Sequence, residues 1–321
     1  MPTQPKYIPD HAVRVVLSVN PKAGAKSSRD FVDEVMANLR ERGMRPEACT
    51  DLAEVSQRAN ELHAAGELRA LVAVGGDGTA AELVNRTEPG VPLALMPTGN
   101  ENLLARYIRV GKSATVVCKA IGQGRLVQFD AARANQRIFL VMLGCGFDGA
   151  VVQRVHGRRT GHIRSLDYFK PIWEVVRSYA YPEIRLGSEC APEVIGAGST
   201  GCCRWLFAFN FPCYGGSLPL APGASGRDGL LDICTFAGGS LWRGLGYAAA
   251  VYARVHRRLG ICGVRQLARF RLTAETEVHY QLDGDPGGTL PVDVEVLPAR
   301  LTLLVPESRA DQLEFQTGPK A

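Results

Sequence analysis

A chain of 321 residues, 46% of them hydrophobic, can bury a large core and has the length of two domains. Its net charge of +5 is too small for a dedicated nucleic-acid binder, though it suits an anionic surface or substrate. Nine cysteines, an odd number with no C-x-x-C pair, point to neither a disulfide framework nor a zinc site and fit a reducing, cytoplasmic compartment. The opening stretch MPTQPKYIPDHAVRVVLSV lacks the charged-then-apolar order of a signal peptide. No apolar run approaches the ~20 residues of a membrane span, so contact with a membrane is expected to be peripheral at most.

The first third alternates two kinds of element. Val13 to Val19 reads as a strand, Ser27 to Arg42 as a helix stopped by Gly43, Arg45 to Thr50 as a strand and Glu54 to Ala65 as a helix. Leu71 to Val74, Thr79 to Arg86 and Pro92 to Met96 continue as strand, helix and strand. This rhythm predicts a parallel sheet covered by helices on both faces. From about Gly124 the runs become β-branched and aromatic, broken by glycine, with helices expected at Ser165 to Tyr179 and Ser240 to Arg257. EVHYQLDGD, VDVEVL and RLTLLVPE alternate like antiparallel strands of a sandwich, and Gly187 to Gly201 reads as a loose loop. The expected fold is therefore α/β plus all-β: an N-terminal parallel-sheet α/β domain over 1–125 and a β-sandwich-like domain over 126–321.

Gly75-Gly76-Asp77-Gly78-Thr79 carries the first chemical signal. Glycines between a buried strand and a helix start let a ligand approach the main chain, and the helix N-terminus suits a phosphate. Asp77 beside such an anion site fits a metal ion or a proton to be removed, or else a helix cap. A second glycine-rich stretch, Gly144, Gly146 and Gly149 in GCGFDG, has G-x-G-x-x-G spacing after a strand. A dinucleotide site there would need a second parallel strand leading to Asp167, but the basic stretch HGRRTGHIRSL intervenes. His156, His162 and His256 have no metal-ligand spacing and read as surface or boundary residues.

Six segments in order resemble the diacylglycerol kinase catalytic-domain family, which includes bacterial lipid kinases and sphingosine kinases. They are NPKAG, GGDGT, MPTGNENLLAR, GCGFDGAVV, SGRDGLLDI and QLDGD, spanning Val13 to Pro306. The resemblance implies an α/β nucleotide domain, a β-sandwich lipid domain and an active site in the cleft between them. It implies ATP and Mg2+ as cofactors and a lipid hydroxyl as acceptor. Asn20, Gly24, Thr50, Gly75, Gly76, Asp77, Gly78, Thr79, Glu82, Gly99 and Asn100 would bind the nucleotide, with Thr50 equally readable as a helix N-cap. Asp285, Asp77 and Asp283 would be catalytic, Asp285 standing where the family carries its proton acceptor.

Asp283 and Asp285 are two apart on an apparent strand end, so both carboxylates would share a face and repel. Asp285 also reads as a cap for the turn into Pro286-Gly287-Gly288. Asp228, with the carbonyls of Ser225 and Leu230, matches the family's metal site, although Asp228-Gly229 is equally a hairpin turn. Three positions depart from the family pattern: Ala81 for Asn, Asn100 for Thr and Asp285 for Glu. The last draws the carboxylate back by roughly 1.5 Å. A soluble-substrate kinase resembling the NAD kinases, and a non-catalytic nucleotide- or lipid-binding protein, remain alternatives. Basic residues in VHGRRTGHIR and YARVHRR would face either water or an anionic membrane at the inner face. No nucleic-acid partner is expected, and a homodimer is compatible with the sequence.

Overall fold

The computed structural model describes residues 5–19, 26–99, 101–157, 178–187, 201–212, 214 and 218–315. The chain divides into two compact units, Met1–Asp130 with Pro298–Ala321, and Ala131–Leu297. The elements begin with β1 (Lys6–Tyr7), β2 (Arg14–Val19), α1 (Lys26–Glu41), β3 (Arg45–Cys49), α2 (Leu52–Ala64) and β4 (Leu68–Gly75). There follow α3 (Asp77–Arg86), β5 (Pro92–Pro97), α4 (Leu103–Tyr107), α5 (Ala114–Gln123), β6 (Arg125–Ala134) and β7 (Arg137–Phe139). Next come β8 (Met142–Gly146), α6 (Phe147–His156), β9 (Ile184–Gly187), β10 (Cys202–Cys203), β11 (Trp205–Phe209) and β12 (Leu231–Phe236). The chain continues through α7 (Leu241–Tyr252), β13 (Gly263–Leu267), β14 (Arg269–Thr273) and β15 (His279–Leu282). It closes with β16 (Asp285–Thr289), β17 (Val292–Leu304) and α8 (Glu307–Phe315).

In the first unit β3, β2, β4 and β5 form parallel neighbours, as the strand–helix rhythm predicts. β4 is buried along nearly its whole length, which is why Ala70 to Val74 run apolar without alternation. The end of β17 joins this sheet: Thr302 and Leu303 pair parallel with Pro92 and Leu93. RLTLLVPE was expected as an antiparallel sandwich strand, and residues 298–321 were assigned to the second domain. Four consecutive buried residues, 301–304, instead mark a strand inside a parallel sheet. Helix α8 then stays with the first unit, where Glu314 accepts from Arg125 at 2.6 Å and Arg309 donates to the Tyr107 carbonyl at 3.0 Å.

The second unit is an antiparallel two-layer structure. One sheet runs β13-β12-β11-β8-β15-β16. The other layer includes β9 paired with β10 and β14, and β14 paired with Val292–Glu295 of β17. Leu143, Cys145, Leu206, Ala208 and Ile233 from the first layer meet Ile184, Leu186, Phe270 and Val294 from the second in one buried cluster. Strand alternation sends Trp205 and Phe207 of β11 to the opposite face, toward α6 and α7.

The G-x-G-x-x-G stretch runs from the end of β8 into α6, and two of its glycines serve packing. A Cβ on Gly149 would strike the His279 carbonyl and lie 2.7 Å from Tyr280 Cα, and one on Gly144 would strike the Asp148 carboxylate. β8 is flanked only by antiparallel neighbours, so no dinucleotide βαβ unit exists there. Helix α7 starts where expected, with Ser240 accepting from Arg243 N at 3.3 Å, but ends at Tyr252 rather than Arg257. The expected helix Ser165 to Tyr179 and loop Gly187 to Gly201 fall almost entirely outside the described residues.

Candidate functional site

In the first unit two loops meet at the carboxyl ends of neighbouring parallel strands, the usual ligand position in open α/β sheets. Gly76 follows β4 and Gly99 follows β5, and the loops are tied by Thr98 N donating to Gly75 O at 3.1 Å. A Cβ on Gly99 would stand 2.9 Å from Asn102 Oδ1 and 3.2 Å from Gly76 Cα, so the missing side chain lets the two main chains approach closely. Gly75 faces protein rather than open space: Thr79 folds back over it, its Cβ 2.7 Å from where a Gly75 Cβ would be. Gly76 is the N-cap of α3 and offers no side-chain capping bond, while Asp77, Gly78 and Thr79 form the first helical residues. An uncapped helix start of this kind fits a phosphate.

Asp77 is not on an exposed turn. Its two carboxylate oxygens accept from Leu103 N at 2.7 Å and Leu104 N at 3.0 Å, the first residues of α4. Burial pushes its pKa up, against the lowering effect of those two backbone donors. It is therefore a cap, of α4 rather than of the helix it opens, and the geometry corrects the picture of a carboxylate directed outward from a surface turn. Asn102, at φ 47°, donates to the Gly99 carbonyl at 2.6 Å. Its Oδ1 is buried beside Gly76 and Gly99 with no hydrogen-bond partner among the described residues.

Glu82 is held by Arg86 one turn later at 2.6 Å. Thr50 is exposed between β3 and α2, and the N-cap there is Asp51, which accepts from Ala53 N and Glu54 N. Asn20, Gly24 and Asn100 lie outside the described residues.

In the second unit β15 and β16 form a hairpin whose two-residue turn is Asp283-Gly284, with φ of 52° and 88°. Both positive angles are those of the tight hairpin turn that Asp-Gly favours. Asp283 thus lies off the strand, and its carboxylate accepts from Leu140, Val141 and Met142 N at 2.7, 2.8 and 2.9 Å. The expected pair of repelling carboxylates on one strand face is corrected accordingly. Asp285 begins β16, and a histidine and an arginine approach it instead. His156 Nε2 on α6 lies 3.0 Å from its Oδ1, and Arg137 Nη2 3.8 Å from its Oδ2. Pro286, Gly287 and Gly288 continue as strand rather than loop.

His156 is therefore part of this site. His256 is buried, with Nε2 3.1 Å from the Leu220 carbonyl, and His162 lies outside the described residues. A further group escaped the sequence reading: half-buried Asp148 accepts from Tyr214 at 2.8 Å and from Gln281 at 2.9 Å, and desolvation of its carboxylate pushes its pKa up. It opens into an apolar cavity of about 280 Å3, walled by Phe147, Trp205, Phe207, Phe236 and Tyr247. The position of Asp148 just after GCGF was the available signal; its partners were not.

Asp228 is exposed, and its Oδ1 accepts from Leu230 N at 3.1 Å, forming an Asx turn. Asp228-Gly229 ends the long connection from Phe209 to Leu231, so it is not a tight hairpin turn. Ser225 and Leu230 are half-buried beside it. Among the described residues no three His, Cys, Asp or Glu side chains gather as a metal cluster.

The first unit is thus a parallel-sheet α/β unit with glycine loops at its strand ends, and the second an antiparallel sandwich. The family model for the diacylglycerol kinase catalytic domain matches residues 14–134, and that for the YegS C-terminal NAD kinase beta sandwich-like domain matches 141–305. The chain belongs to the diacylglycerol kinase catalytic-domain family of lipid kinases. It is 22% identical to the diacylglycerol kinase of Bacillus subtilis over 94% of this chain and 99% of that one. It is 26% identical to the diacylglycerol kinase of Mycobacterium tuberculosis H37Rv over 91% and 95%. A crystal structure of a diacylglycerol kinase from Bacillus anthracis superposes with a TM-score of 0.65 at 18% identity, covering 92% of this chain and 98% of that one.

Proposed function

We propose that this protein is an ATP-dependent kinase that phosphorylates the hydroxyl of a lipid such as diacylglycerol or a related lipid alcohol. The observation that carries this reading is that both halves of a lipid kinase match this chain in order, over 14–134 and 141–305. The residues of the first unit fit a nucleotide: a helix start at Gly76 without a side-chain cap, two glycine loops in contact, and a buried Asn102 Oδ1 without a partner among the described residues. Bound ATP supplies the phosphoryl group, and Mg2+ offsets the charge on its phosphates.

In this reading the first unit holds the nucleotide and the second holds the alcohol. The N–H groups at the start of α3, with Thr79 and Asn102, orient the phosphates and nucleoside. Asp77 keeps the two loops in register by holding the start of α4. Asp285 accepts the hydroxyl proton, and His156 and Arg137 fix where its carboxylate points. Asp283 positions the hairpin that carries it. The Asp228 turn, with the Ser225 and Leu230 carbonyls, supplies hard oxygen donors suited to a structural cation.

Incubation with labelled ATP, Mg2+ and a total lipid extract should give a labelled phospholipid on thin-layer chromatography. Labelling of NAD instead, or ATP binding with no transfer to any lipid, would overturn the proposal.

A further inference from the structure

Four of the five large hydrophobic side chains exposed among the described residues fall in one short segment. They are Trp242, 80% exposed, Leu245, Tyr252, 81% exposed, and Leu259. Trp242, Leu245 and Tyr252 lie on α7, and with exposed Ala249 their spacing places them along one helical face. A second stripe of the same helix, Gly244, Tyr247, Ala248 and Val251, roofs the aromatic cavity. Gly244 lets the helix settle onto Trp205, whose Cζ2 would be 2.9 Å from a Cβ there. A helix apolar on both stripes is normally buried on both sides. This one is covered on one side only.

Charge identifies what covers the other. Between Asp232 and Glu275 the sequence holds seven arginines and no carboxylate. Arg243, Arg254, Arg257 and Arg258 are exposed and flank the apolar stripe. A second copy of this face would bring like charges together, whereas an anionic lipid surface complements both features. Tryptophan and tyrosine favour the headgroup level, leucine the acyl boundary, and arginine the lipid phosphates. Twelve residues span about 18 Å, short of the ~30 Å hydrocarbon core, and no described helix is long and apolar enough to cross a membrane. The helix has the dimensions of an element lying in the interface.

We propose that α7 and the turn running to Leu259 form a docking surface for an anionic lipid bilayer. Trp242, Leu245, Tyr252 and Leu259 enter the headgroup boundary, and the four arginines pair with lipid phosphates. The inner stripe of α7 then sets the aromatic cavity directly beneath the membrane. The proposal does not rest on the phosphoryl-transfer reading, because vesicle binding is measured without turnover.

The test is co-sedimentation of the full chain with phosphatidylcholine vesicles, with and without phosphatidylglycerol. The wild type should bind the anionic vesicles strongly and the neutral ones weakly. Trp242→Ser with Tyr252→Ser should lower binding at least ~tenfold. Arg254→Gln, Arg257→Gln and Arg258→Gln should each lower it on the order of fivefold, as should raised salt. All these side chains are exposed, and unchanged circular dichroism would verify the fold. As a second measurement, brominated lipid should quench wild-type tryptophan fluorescence, and Trp242→Phe should remove that quenching. Equal binding to neutral and anionic vesicles would overturn the proposal, as would full binding by the aromatic double variant. A dimer in solution that Trp242→Ser dissolves, without vesicle binding, would assign the face to a second copy instead.

Discussion

His156 Nε2 stands 3.0 Å from Asp285 Oδ1, joining the last turn of α6 to the first residue of β16. Arg137 approaches the other carboxylate oxygen at 3.8 Å, so Asp285 is approached by a basic side chain at each oxygen. Asp285→Asn should cut turnover at least ~100-fold while nucleotide binding survives, because the amide cannot accept the proton. His156→Ala should lower kcat on the order of tenfold, leave KM for ATP unchanged and shift the pH–rate profile, which a purely structural histidine would not do. Near-normal turnover by Asp285→Asn would remove it from the mechanism.

Asp77 gives a different signature. Its carboxylate serves two main-chain donors at the start of α4. Asp77→Ala leaves both without that acceptor, and roughly 1–3 kcal/mol of stability should be lost with it, seen as a lower Tm. Nucleotide binding should weaken too, because the start of α4, which follows the Gly99 loop, is no longer held by α3. An unchanged Tm would mean that the two hydrogen bonds contribute nothing.

The desolvated carboxylate of Asp148 predicts a pH effect of definite sign. Burial raises its pKa from the usual 3.8, despite donors Gln281 and Tyr214. The folded state therefore holds the proton more tightly than the unfolded state, so this group favours folding most at low pH. That contribution is lost as pH rises from 3.8 through the raised folded value. Asp148→Asn does not titrate there. The wild type's Tm advantage over Asp148→Asn should be largest near pH 4 and shrink toward neutrality. An advantage that grows with pH would reverse the assigned shift.

The Asp228 turn is testable through its proposed cation. Addition of Mg2+ or Ca2+ should raise the Tm of the wild type and chelation should lower it, by linkage to the folded state. Asp228→Ala should respond to neither. Identical responses in both proteins would leave Asp228 with its Asx turn alone.

Helix α6 carries His156 and is set against β15 by the missing side chain at Gly149. Gly149→Ala places a methyl group against the His279 and Tyr280 main chain, which has no side-chain freedom to yield. About 1–3 kcal/mol of destabilisation is expected, together with loss of turnover as α6 shifts. A variant that melts and turns over like the wild type would show that α6 can move freely.

Much of the architecture was legible because its signals are local. The unbroken apolar run of β4, ending in Gly75-Gly76, could only be a buried strand meeting a tight turn before a helix. Residues that depend on distant partners were not legible. Asp228-Gly229 and Asp283-Gly284 are the same dipeptide, yet only the second closes a tight hairpin, because β15 and β16 flank it. Asp77, Asp283 and Asp285 are all plausible acids in sequence. Two of them are occupied by main-chain donors from elsewhere in the fold, and only Asp285 meets a histidine.

Local sequence was enough for the strand and helix order of the first third, the glycine turn after β4 and the family, since periodicity and backbone permissiveness are properties of neighbouring residues. Long-range packing settled that β17 returns to the parallel sheet, that α6 follows β8 between antiparallel neighbours, and which carboxylate faces His156. Those outcomes follow from burial and from satisfying main-chain donors, which depend on residues brought together from across the chain.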